Sequence, residues 1–130
     1  MDLPEGVTGV GIDAVEVERL RRLLEHLPRA YERLYSEQER TYVERYSDPY
    51  PRYAARFAAK EAVSKAFGTG IGAALGWQDI EVCRRDSGEP YVVLHDKGQT
   101  LLASRGARVV HLSLSHTEKH AVAVAILESA

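Results

Sequence analysis

The sequence predicts helices and short strands within a single domain of residues 1–130. Helical periodicity fills most of residues 14–67, after a short apolar segment at residues 7–12 that is typical of a buried strand. The period then changes, because residues 77–84 and 109–115 alternate between apolar and polar side chains, as half-buried strands do. A chain of 130 residues is long enough for one substantial hydrophobic core and too short for two ordinary domains.

The composition excludes several classes of function. Hydrophobic residues make up 45% of the chain and charged residues 28%, as in globular proteins. The net charge of −2 and the pI near 6.2 predict no general affinity for nucleic acids or membranes. The single cysteine, Cys83, excludes an internal disulfide and a cysteine-based zinc site. Because no apolar run reaches membrane-spanning length and the first residues lack signal-peptide features, we expect a cytoplasmic protein.

The central stretch, from Phe57 to Gly72, predicts a helix that ends in a glycine-rich loop. It is rich in alanine and has neither proline nor glycine before Gly68. Extended back to Ala54, the helix has a broad face of small apolar side chains and an opposite polar side. The apolar face carries Ala54, Ala55, Ala58, Ala59, Ala62, Val63 and Ala66, and the opposite side carries Arg56, Lys60 and Ser64.

Glu61 and Lys65 lie one helical turn apart at the edge between these faces. One interpretation is a Glu-to-Lys helix pair worth a few tenths of a kcal/mol. The other is an anion site, because Lys65 precedes the Gly68-Thr69-Gly70 loop, whose open backbone N–H groups could bind phosphate. This loop follows a helix, so it matches neither of the glycine-rich nucleotide motifs that follow a strand.

Asp13 directly follows the first apolar segment and has two interpretations. With Glu16 three residues later, it fits a capping box for a helix from about residue 14 to residue 26. Alternatively, a carboxylate at the end of a strand lies at the rim of the sheet, where ligands usually bind. A second capping box, Ser36 with Glu39, predicts another helix start.

The first predicted helix directs a cluster of arginines outward. Its apolar residues, expected to face inward, are Val17, Leu20, Leu23, Leu24 and Leu27. The outward cluster consists of Arg19, Arg21 and Arg22, interleaved with Glu18 and Glu25. It is either a solvated face or a docking surface for an acidic protein partner.

The remaining segments predict a loop at residues 46–52, a β-hairpin around residues 86–90, a short helix at residues 96–104 and two final strands. The last strand, residues 121–127, is apolar on both faces, which predicts burial on both sides and hints at contact with another subunit. Between the final strands, His116 and Thr117 form either a nucleophile and base pair or a polar turn.

Five blocks of the sequence resemble the holo-acyl-carrier-protein synthases, the small bacterial type of 4′-phosphopantetheinyl transferase. They are GIDAVE at 11–16, RFAAKEAVSKAFGTGI at 56–71, WQDIEV at 77–82, GEP at 88–90 and SLSHT at 113–117. Each block alone is a weak signal, but together, in the family's order and spacing, they are specific. Residues 29–52 cannot be matched residue by residue, so no substrate-contacting arginine is assigned there.

The resemblance implies an α+β fold, with a small antiparallel sheet packed with helices, in a homotrimer with an active site at each subunit interface. It also implies an Mg²⁺-dependent reaction that moves 4′-phosphopantetheine from coenzyme A to a serine of apo acyl carrier protein, leaving adenosine 3′,5′-bisphosphate. The matching catalytic residues are Glu61, Asp13 and Lys65, with Asp13 and Glu61 as metal ligands. Matching coenzyme A contacts are Lys65, Gly68, Thr69 and Gly70, with Arg56, Ser64, His116 and Thr117 as further candidates.

The chemistry fits these residues, since Mg²⁺ takes one or two carboxylates, several waters and the phosphates of a substrate. The base that deprotonates the serine is either Glu61 or a water held by Glu61 and the metal. Two other classes compete with the transferase. One is a non-catalytic nucleotide-binding oligomer with a carrier-protein docking helix, and the other is a metal-dependent phosphohydrolase.

Overall fold

The computed structural model describes residues 5–129 and has the α+β architecture that the sequence predicts. Its strands are β1 (Val7–Glu16), β2 (Ile80–Arg84), β3 (Pro90–Leu94), β4 (Val109–His116) and β5 (His120–Glu128). Its helices are α1 (Val17–His26), α2 (Ala30–Leu34), α3 (Glu37–Val43), α4 (Tyr50–Phe67) and α5 (Lys97–Ser104), with a 3₁₀ turn at Trp77–Asp79.

The strands form two antiparallel sheets. The larger has the order β1-β5-β4, and the hairpin β2-β3 forms the smaller. In the larger sheet, Asp13 pairs with Ala123 of β5, which pairs with Leu114 of β4 on its other side. Side chains directly opposite each other in a sheet share a face, so Asp13 lies on the same face as Ala123 and Leu114.

Helix α4 lies directly against β1 because two glycines of that strand lack side chains. A Cβ atom at Gly11 would overlap the carbonyl oxygen of Ala62, and one at Gly9 would overlap that of Ala66. No other residue fits at either position without separating helix and strand. Gly9, Gly11 and Asp13 alternate along β1 and so share a face. The close approach therefore brings the Asp13 side chain beside α4.

The prediction that Arg56, Lys60 and Ser64 form an open polar side of α4 is wrong. All three are buried, because α3 and the β2-β3 hairpin cover this side of the helix. The Lys60 ammonium donates to the Glu39 carboxylate at 2.7 Å and to the Leu34 carbonyl at 2.7 Å. Burial of these groups follows from contacts between distant segments, which helical periodicity alone does not contain.

Strand β5 is buried on one face only, so the prediction of burial on both sides is wrong for the single chain. Ala121, Ala123, Ala125 and Leu127 face the core. On the other face Val122 is 38% exposed, and Val10 and Ile12 of β1, which pair with Ile126 and Val124 of β5, are 48% and 59% exposed. The larger sheet therefore has one open face on which apolar side chains are contiguous across strands.

Several predicted boundaries differ from the structure. Residue Asp13 lies inside β1 and α1 begins only at Val17, so the capping-box interpretation is wrong. Pairing with β5 extends the strand past the point where its apolar pattern ends. Leu23 and Leu27 were expected inside, but they are 39% and 56% exposed. The 46–52 loop is shorter than predicted because α4 begins at Tyr50.

Other local predictions are confirmed. Ser36 and Glu39 form a complete capping box at the start of α3. The hairpin and α5 lie where expected, although the first three residues of the segment predicted as a strand at 77–84 form the 3₁₀ turn. Among residues 5–129, no helix is both long and apolar enough to cross a membrane.

Candidate active site

Three charged side chains meet where α4 crosses β1, and we call Asp13, Glu61 and Lys65 the carboxylate cluster. The Lys65 ammonium donates to the Asp13 carboxylate at 2.9 Å and to the Ile12 carbonyl at 3.1 Å. Lys65 therefore pairs across the chain with Asp13, and the described residues contain no ion pair between Lys65 and Glu61. The helix-pair interpretation of Glu61 and Lys65 is wrong.

The Glu61 carboxylate is the free acceptor of the carboxylate cluster. Within residues 5–129, no hydrogen bond or ion pair engages its side chain. Partial burial raises the pKa of Glu61, the neighbouring Asp13 carboxylate raises it further, and Lys65 opposes both. Two carboxylates held close enough to perturb each other are stabilised by a cation between them.

The donor set of the carboxylate cluster fits Mg²⁺ better than a transition metal. Asp13 and Glu61 provide hard oxygen ligands, and both side chains are only partly buried, which leaves room for waters and substrate oxygens. The described residues contain no group of three or more His, Cys, Asp or Glu side chains that could enclose an ion. An Mg²⁺ ion needs no such enclosure, because one or two carboxylates plus phosphates usually hold it.

The loop after α4 does not offer open N–H groups, so that prediction is wrong. Gly68 adopts a left-handed conformation with φ of 81° and caps the helix. Its N–H donates to the Lys65 carbonyl, and those of Thr69 and Gly70 donate to the Ser64 carbonyl. The last carbonyl groups of a helix have no hydrogen-bond donors within the helix, and these N–H groups act as the donors. The cationic groups at this end of α4 include Lys65 and Arg105, whose Nε donates to the Phe67 carbonyl at 3.2 Å.

Arg56 lies on the other flank of α4, in a cleft of about 860 Å³ between α3 and the β2-β3 hairpin. We call it the arginine cleft, since Arg45, Arg56, Arg84 and Arg85 line it beside Tyr42 and Tyr91. Its acidic lining residues are Glu37 and Asp86, so arginines outnumber carboxylates by four to two. Positive charge inside a concave surface attracts anions such as phosphates.

His116 lies at the end of β4 and belongs to the same side as the arginine cleft. Burial lowers the pKa of His116, and the charges of Arg52, Arg84 and Arg56 lower it further. A lowered pKa favours the neutral imidazole. Thr117 forms the following turn, because its hydroxyl accepts hydrogen bonds from the backbone N–H groups of Lys119 and His120. The polar-turn interpretation of these two residues is the one that the structure shows.

Ser64 is fully buried and donates its hydroxyl to the Glu61 carbonyl at 2.7 Å. In this arrangement it presents no free group to either the carboxylate cluster or the arginine cleft. Its proposed contact with coenzyme A stays a prediction.

The predicted site residues therefore form two groups in one chain. Arg56 and Glu61 are five residues apart on α4, which separates their directions by about 140° around the helix. Asp13 and His116 lie on the two edge strands of the larger sheet, with β5 between them, which separates their backbones by roughly 10 Å or more. Among the described residues 5–129, no member of the carboxylate cluster lines the arginine cleft.

Comparison with known proteins assigns the chain to a family. The sequence model of the 4′-phosphopantetheinyl transferase superfamily matches residues 9–125. The chain belongs to this superfamily. A holo-[acyl-carrier-protein] synthase of Chlamydia trachomatis is 49% identical over 121 residues, which cover 92% of this chain and 98% of the relative. The corresponding enzyme of Caldanaerobacter subterraneus is 44% identical over 117 residues, covering 90% and 91% of the two chains.

Solved structures of the superfamily have the same fold. The holo-[acyl-carrier-protein] synthase of Neisseria meningitidis superposes with a TM-score of 0.87 at 31% identity, covering 95% of this chain and 99% of its own. That of Bacillus anthracis, solved in complex with CoA (3′,5′-ADP), gives 0.82 at 37% identity, covering 96% and 99%. The resemblance drawn from the five sequence blocks is confirmed.

Helix α1, the predicted docking helix, does not present all three of its arginines as free charges. Arg21 is clamped between Glu18 and Glu25, which neutralise it. Arg22 lies 3.5 Å from Glu18, whereas Arg19 has no ion-pair partner among residues 5–129. The stripe Arg19, Leu23, Leu27 follows i, i+4, i+8 spacing and is exposed along its whole length.

Sequence reasoning missed the residues that line the arginine cleft, except for Arg56. Arg45, Arg84 and Arg85 come from segments that are distant in sequence, and none belongs to a recognisable motif. It also missed the Lys60–Glu39 pair. A lysine placed among alanines in a helix interior was the one available signal, since such a residue needs a buried partner.

Proposed function

We propose that this protein transfers 4′-phosphopantetheine from coenzyme A to a serine of apo acyl carrier protein and releases adenosine 3′,5′-bisphosphate. The observation that carries the proposal is the carboxylate cluster, in which β1 and α4 bring Asp13, Glu61 and Lys65 together beside a helix suited to carrier docking. Relatives that bear the name holo-[acyl-carrier-protein] synthase cover over nine-tenths of the chain. Most of its close structural neighbours bear the same name.

The carboxylate cluster would hold Mg²⁺ through Asp13 and Glu61. When bound, the ion neutralises the charge that develops on the pyrophosphate as its bond breaks. Lys65 is hydrogen-bonded to Asp13 at 2.9 Å and half exposed, so its ammonium can turn toward a phosphate oxygen of coenzyme A.

The serine hydroxyl must lose its proton as it attacks phosphorus. Glu61 suits the role of acceptor because its carboxylate has no other partner among the described residues and its pKa is raised. A base with a pKa nearer to neutrality accepts a proton more effectively, provided that it is ionised when the substrate binds. Lys65 favours this ionised form, because its positive charge lowers the pKa of Glu61.

The complete active site is proposed to form between subunits of a homotrimer. The carboxylate cluster of one copy would meet the arginine cleft and His116 of the next, which accounts for their separation in one chain. The open apolar face around Val10, Ile12 and Val122 supports contact between copies, since monomeric proteins rarely expose contiguous apolar surface. We also propose that residues 1–130 form a single domain. The buried apolar residues form two clusters, and α4 contributes side chains to both of them. We propose that the protein acts in the cytoplasm.

An acidic carrier protein is proposed to dock on α1. Arg19 supplies free positive charge, and Leu23 and Leu27 supply apolar surface next to it. Acyl carrier proteins are acidic and helical, so charge steers the encounter and the leucines contribute to the contact. Because α1 follows β1 directly, a carrier docked there reaches the Asp13 end of the site.

The test incubates the protein with coenzyme A, Mg²⁺ and an apo carrier protein and follows the carrier by intact-mass spectrometry. A mass increase equal to phosphopantetheine, matched by release of adenosine 3′,5′-bisphosphate, is the expected result. Glu61→Gln serves as the matched control, because it keeps the size of the side chain and removes its charge. Coenzyme A binding without transfer would support the nucleotide-binding oligomer instead. Hydrolysis of coenzyme A in the absence of carrier would support the phosphohydrolase.

A further inference from the structure

Arg56 combines nearly complete burial with unsatisfied hydrogen-bond donors. Its side chain is 1% exposed, and its Nε and Nη1 atoms are buried without a hydrogen-bond partner. Buried polar donors are normally bonded, and a charged group left without partners is costly. A guanidinium in this state at the wall of a positively charged cleft is arranged for a ligand that supplies acceptors.

An aromatic ring holds this guanidinium in place. The Arg56 guanidinium carbon lies 4.6 Å from the centre of the Tyr42 ring, within the range of a cation–π contact. A ring engages the flat face of a guanidinium and uses none of its N–H groups, which radiate from its edge. Tyr42 therefore fixes Arg56 without consuming the donors that an anion would need.

We infer that Tyr42 is a positioning residue for the nucleotide end of coenzyme A, holding Arg56 at the wall of the arginine cleft with its edge donors free. The inference rests on the proposed function. It adds a residue from the region 29–52, where the family resemblance assigns nothing. Tyr42 lines the same cleft as Arg56, so the ring and the guanidinium form one unit on its wall.

Tyr46 provides a matched control within the same chain. The Arg52 guanidinium carbon lies 3.3 Å from the centre of the Tyr46 ring, and the Tyr46 hydroxyl lies 3.2 Å from that of Tyr42. It is not among the residues that line the arginine cleft. Tyr46→Leu removes a ring from an arginine and breaks the same hydroxyl contact. It also removes the edge-to-face contact between the two tyrosine rings, whose centres are 5.9 Å apart, while Arg56 keeps its own ring. Tyr42→Phe keeps the ring and removes only the hydroxyl.

The experiment measures binding of adenosine 3′,5′-bisphosphate by calorimetry to the full chain and these variants, beside KM and kcat for coenzyme A. We expect Tyr42→Leu to raise the bisphosphate Kd and the coenzyme A KM about tenfold, with kcat within about twofold of wild type. Tyr42→Phe and Tyr46→Leu should bind like wild type. Arg56→Lys, which keeps the charge and loses the planar group, should weaken binding by a similar factor. Combining it with Tyr42→Leu should add little.

Three results would overturn the inference. They are wild-type binding by Tyr42→Leu, an equal loss in Tyr46→Leu, or full additivity of Tyr42→Leu with Arg56→Lys. If Tyr42→Leu does not fold, Arg56→Lys decides alone, since wild-type affinity in that variant would show that a stacked guanidinium is unnecessary. Failure of the proposed function looks different, because the wild-type protein would then neither transfer phosphopantetheine nor bind the bisphosphate.

Discussion

Helix α4 carries two lysines five residues apart, and each pairs with a carboxylate from another element. Lys60 pairs with Glu39 of α3 at 2.7 Å, and both side chains are completely buried. Lys65 pairs with Asp13 of β1 at 2.9 Å, and its side chain is 49% exposed. The two pairs have the same chemistry and similar lengths, yet their surroundings assign them different roles.

The buried pair is closed to ligands. Glu39 also accepts hydrogen bonds from the backbone N–H groups of Ser36 and Val82, and Lys60 donates to two carbonyls besides Glu39. Every strong hydrogen-bonding direction of the pair is occupied by protein. The Asp13–Lys65 pair has a neighbouring carboxylate, Glu61, without such partners. An open acceptor next to a partly exposed pair is available to a ligand, whereas the buried pair is a structural link between α3, α4 and β2.

The largest expected effect is on the transfer rate, and it concerns Glu61 beside the partly exposed Asp13–Lys65 pair. Glu61→Gln removes the free carboxylate and should lower the transfer rate by about 10²–10⁴-fold, the usual contribution of an acid–base group. The unfolding temperature should not fall, because Glu61 makes no contact that glutamine would lose. Steady-state transfer and thermal unfolding check the two halves of this prediction. A variant with more than a tenth of wild-type activity would contradict the assigned role.

The closed side should respond in the opposite way. Lys60→Met leaves Glu39 buried without its counter-charge, which should lower the free energy of unfolding by about 3–5 kcal/mol. Denaturant unfolding measures this loss. Lys65→Met is the matched control and should cost less than about 1 kcal/mol, as expected for a partly exposed pair. Equal losses in the two variants would mean that burial does not distinguish the pairs.

Lys65 should instead affect substrate binding. Lys65→Ala removes a point charge from the proposed phosphate site and should raise the KM for coenzyme A about tenfold. Lys60 variants that fold should keep the wild-type KM. An analogue of coenzyme A that lacks a phosphate adds precision, because Lys65→Ala should weaken binding of that analogue less than binding of coenzyme A. Equal losses of affinity for both ligands would mean that Lys65 only pairs with Asp13 and does not bind phosphate.

A smaller effect is expected in the dependence of stability on pH. Burial and Asp13 raise the pKa of Glu61 above its ordinary value of 4.5, so the folded protein holds this proton more tightly than the unfolded chain does. The resulting stabilisation is fully present below 4.5 and is lost as the pH rises through the raised pKa. In metal-free buffer, Glu61→Gln should therefore unfold at a higher temperature than wild type at neutral pH, with the difference vanishing in acid. If Glu61→Gln unfolded at a lower temperature than wild type at neutral pH, the claim that the charged Glu61 carboxylate destabilises the fold would be contradicted.

The sequence predicts those features that short segments determine. The glycine end of α4, the Ser36–Glu39 capping box and the hairpin follow from local rules, and all three are present. The strand position of Asp13 could not be predicted, because a nearby Glu16 fits a capping box equally well and only pairing with β5 decides between them. Strand propensity depends on such neighbours more than helix propensity does.

For the same reason, the sequence predicts the carboxylate cluster but not the arginine cleft. Asp13, Glu61 and Lys65 belong to recognisable blocks, and the structure brings them together. The arginine cleft assembles α3, α4 and the hairpin, so its charge appears only once these segments pack. The expectation of open N–H groups after α4 failed because the helix end itself uses them.

The proposed trimer requires that the carboxylate cluster of one copy and the arginine cleft of the next form one active site. Co-expression of Glu61→Gln with Arg56→Gln tests it, because each variant keeps the group that the other lacks. In randomly mixed trimers, about a quarter of the interfaces would pair an intact Glu61 with an intact Arg56. At a coenzyme A concentration well below the wild-type KM, the expected result is that the mixture recovers about a quarter of the wild-type transfer rate while each variant alone stays well below that. A mixture that forms hetero-oligomers but stays as inactive as its components would contradict the shared site.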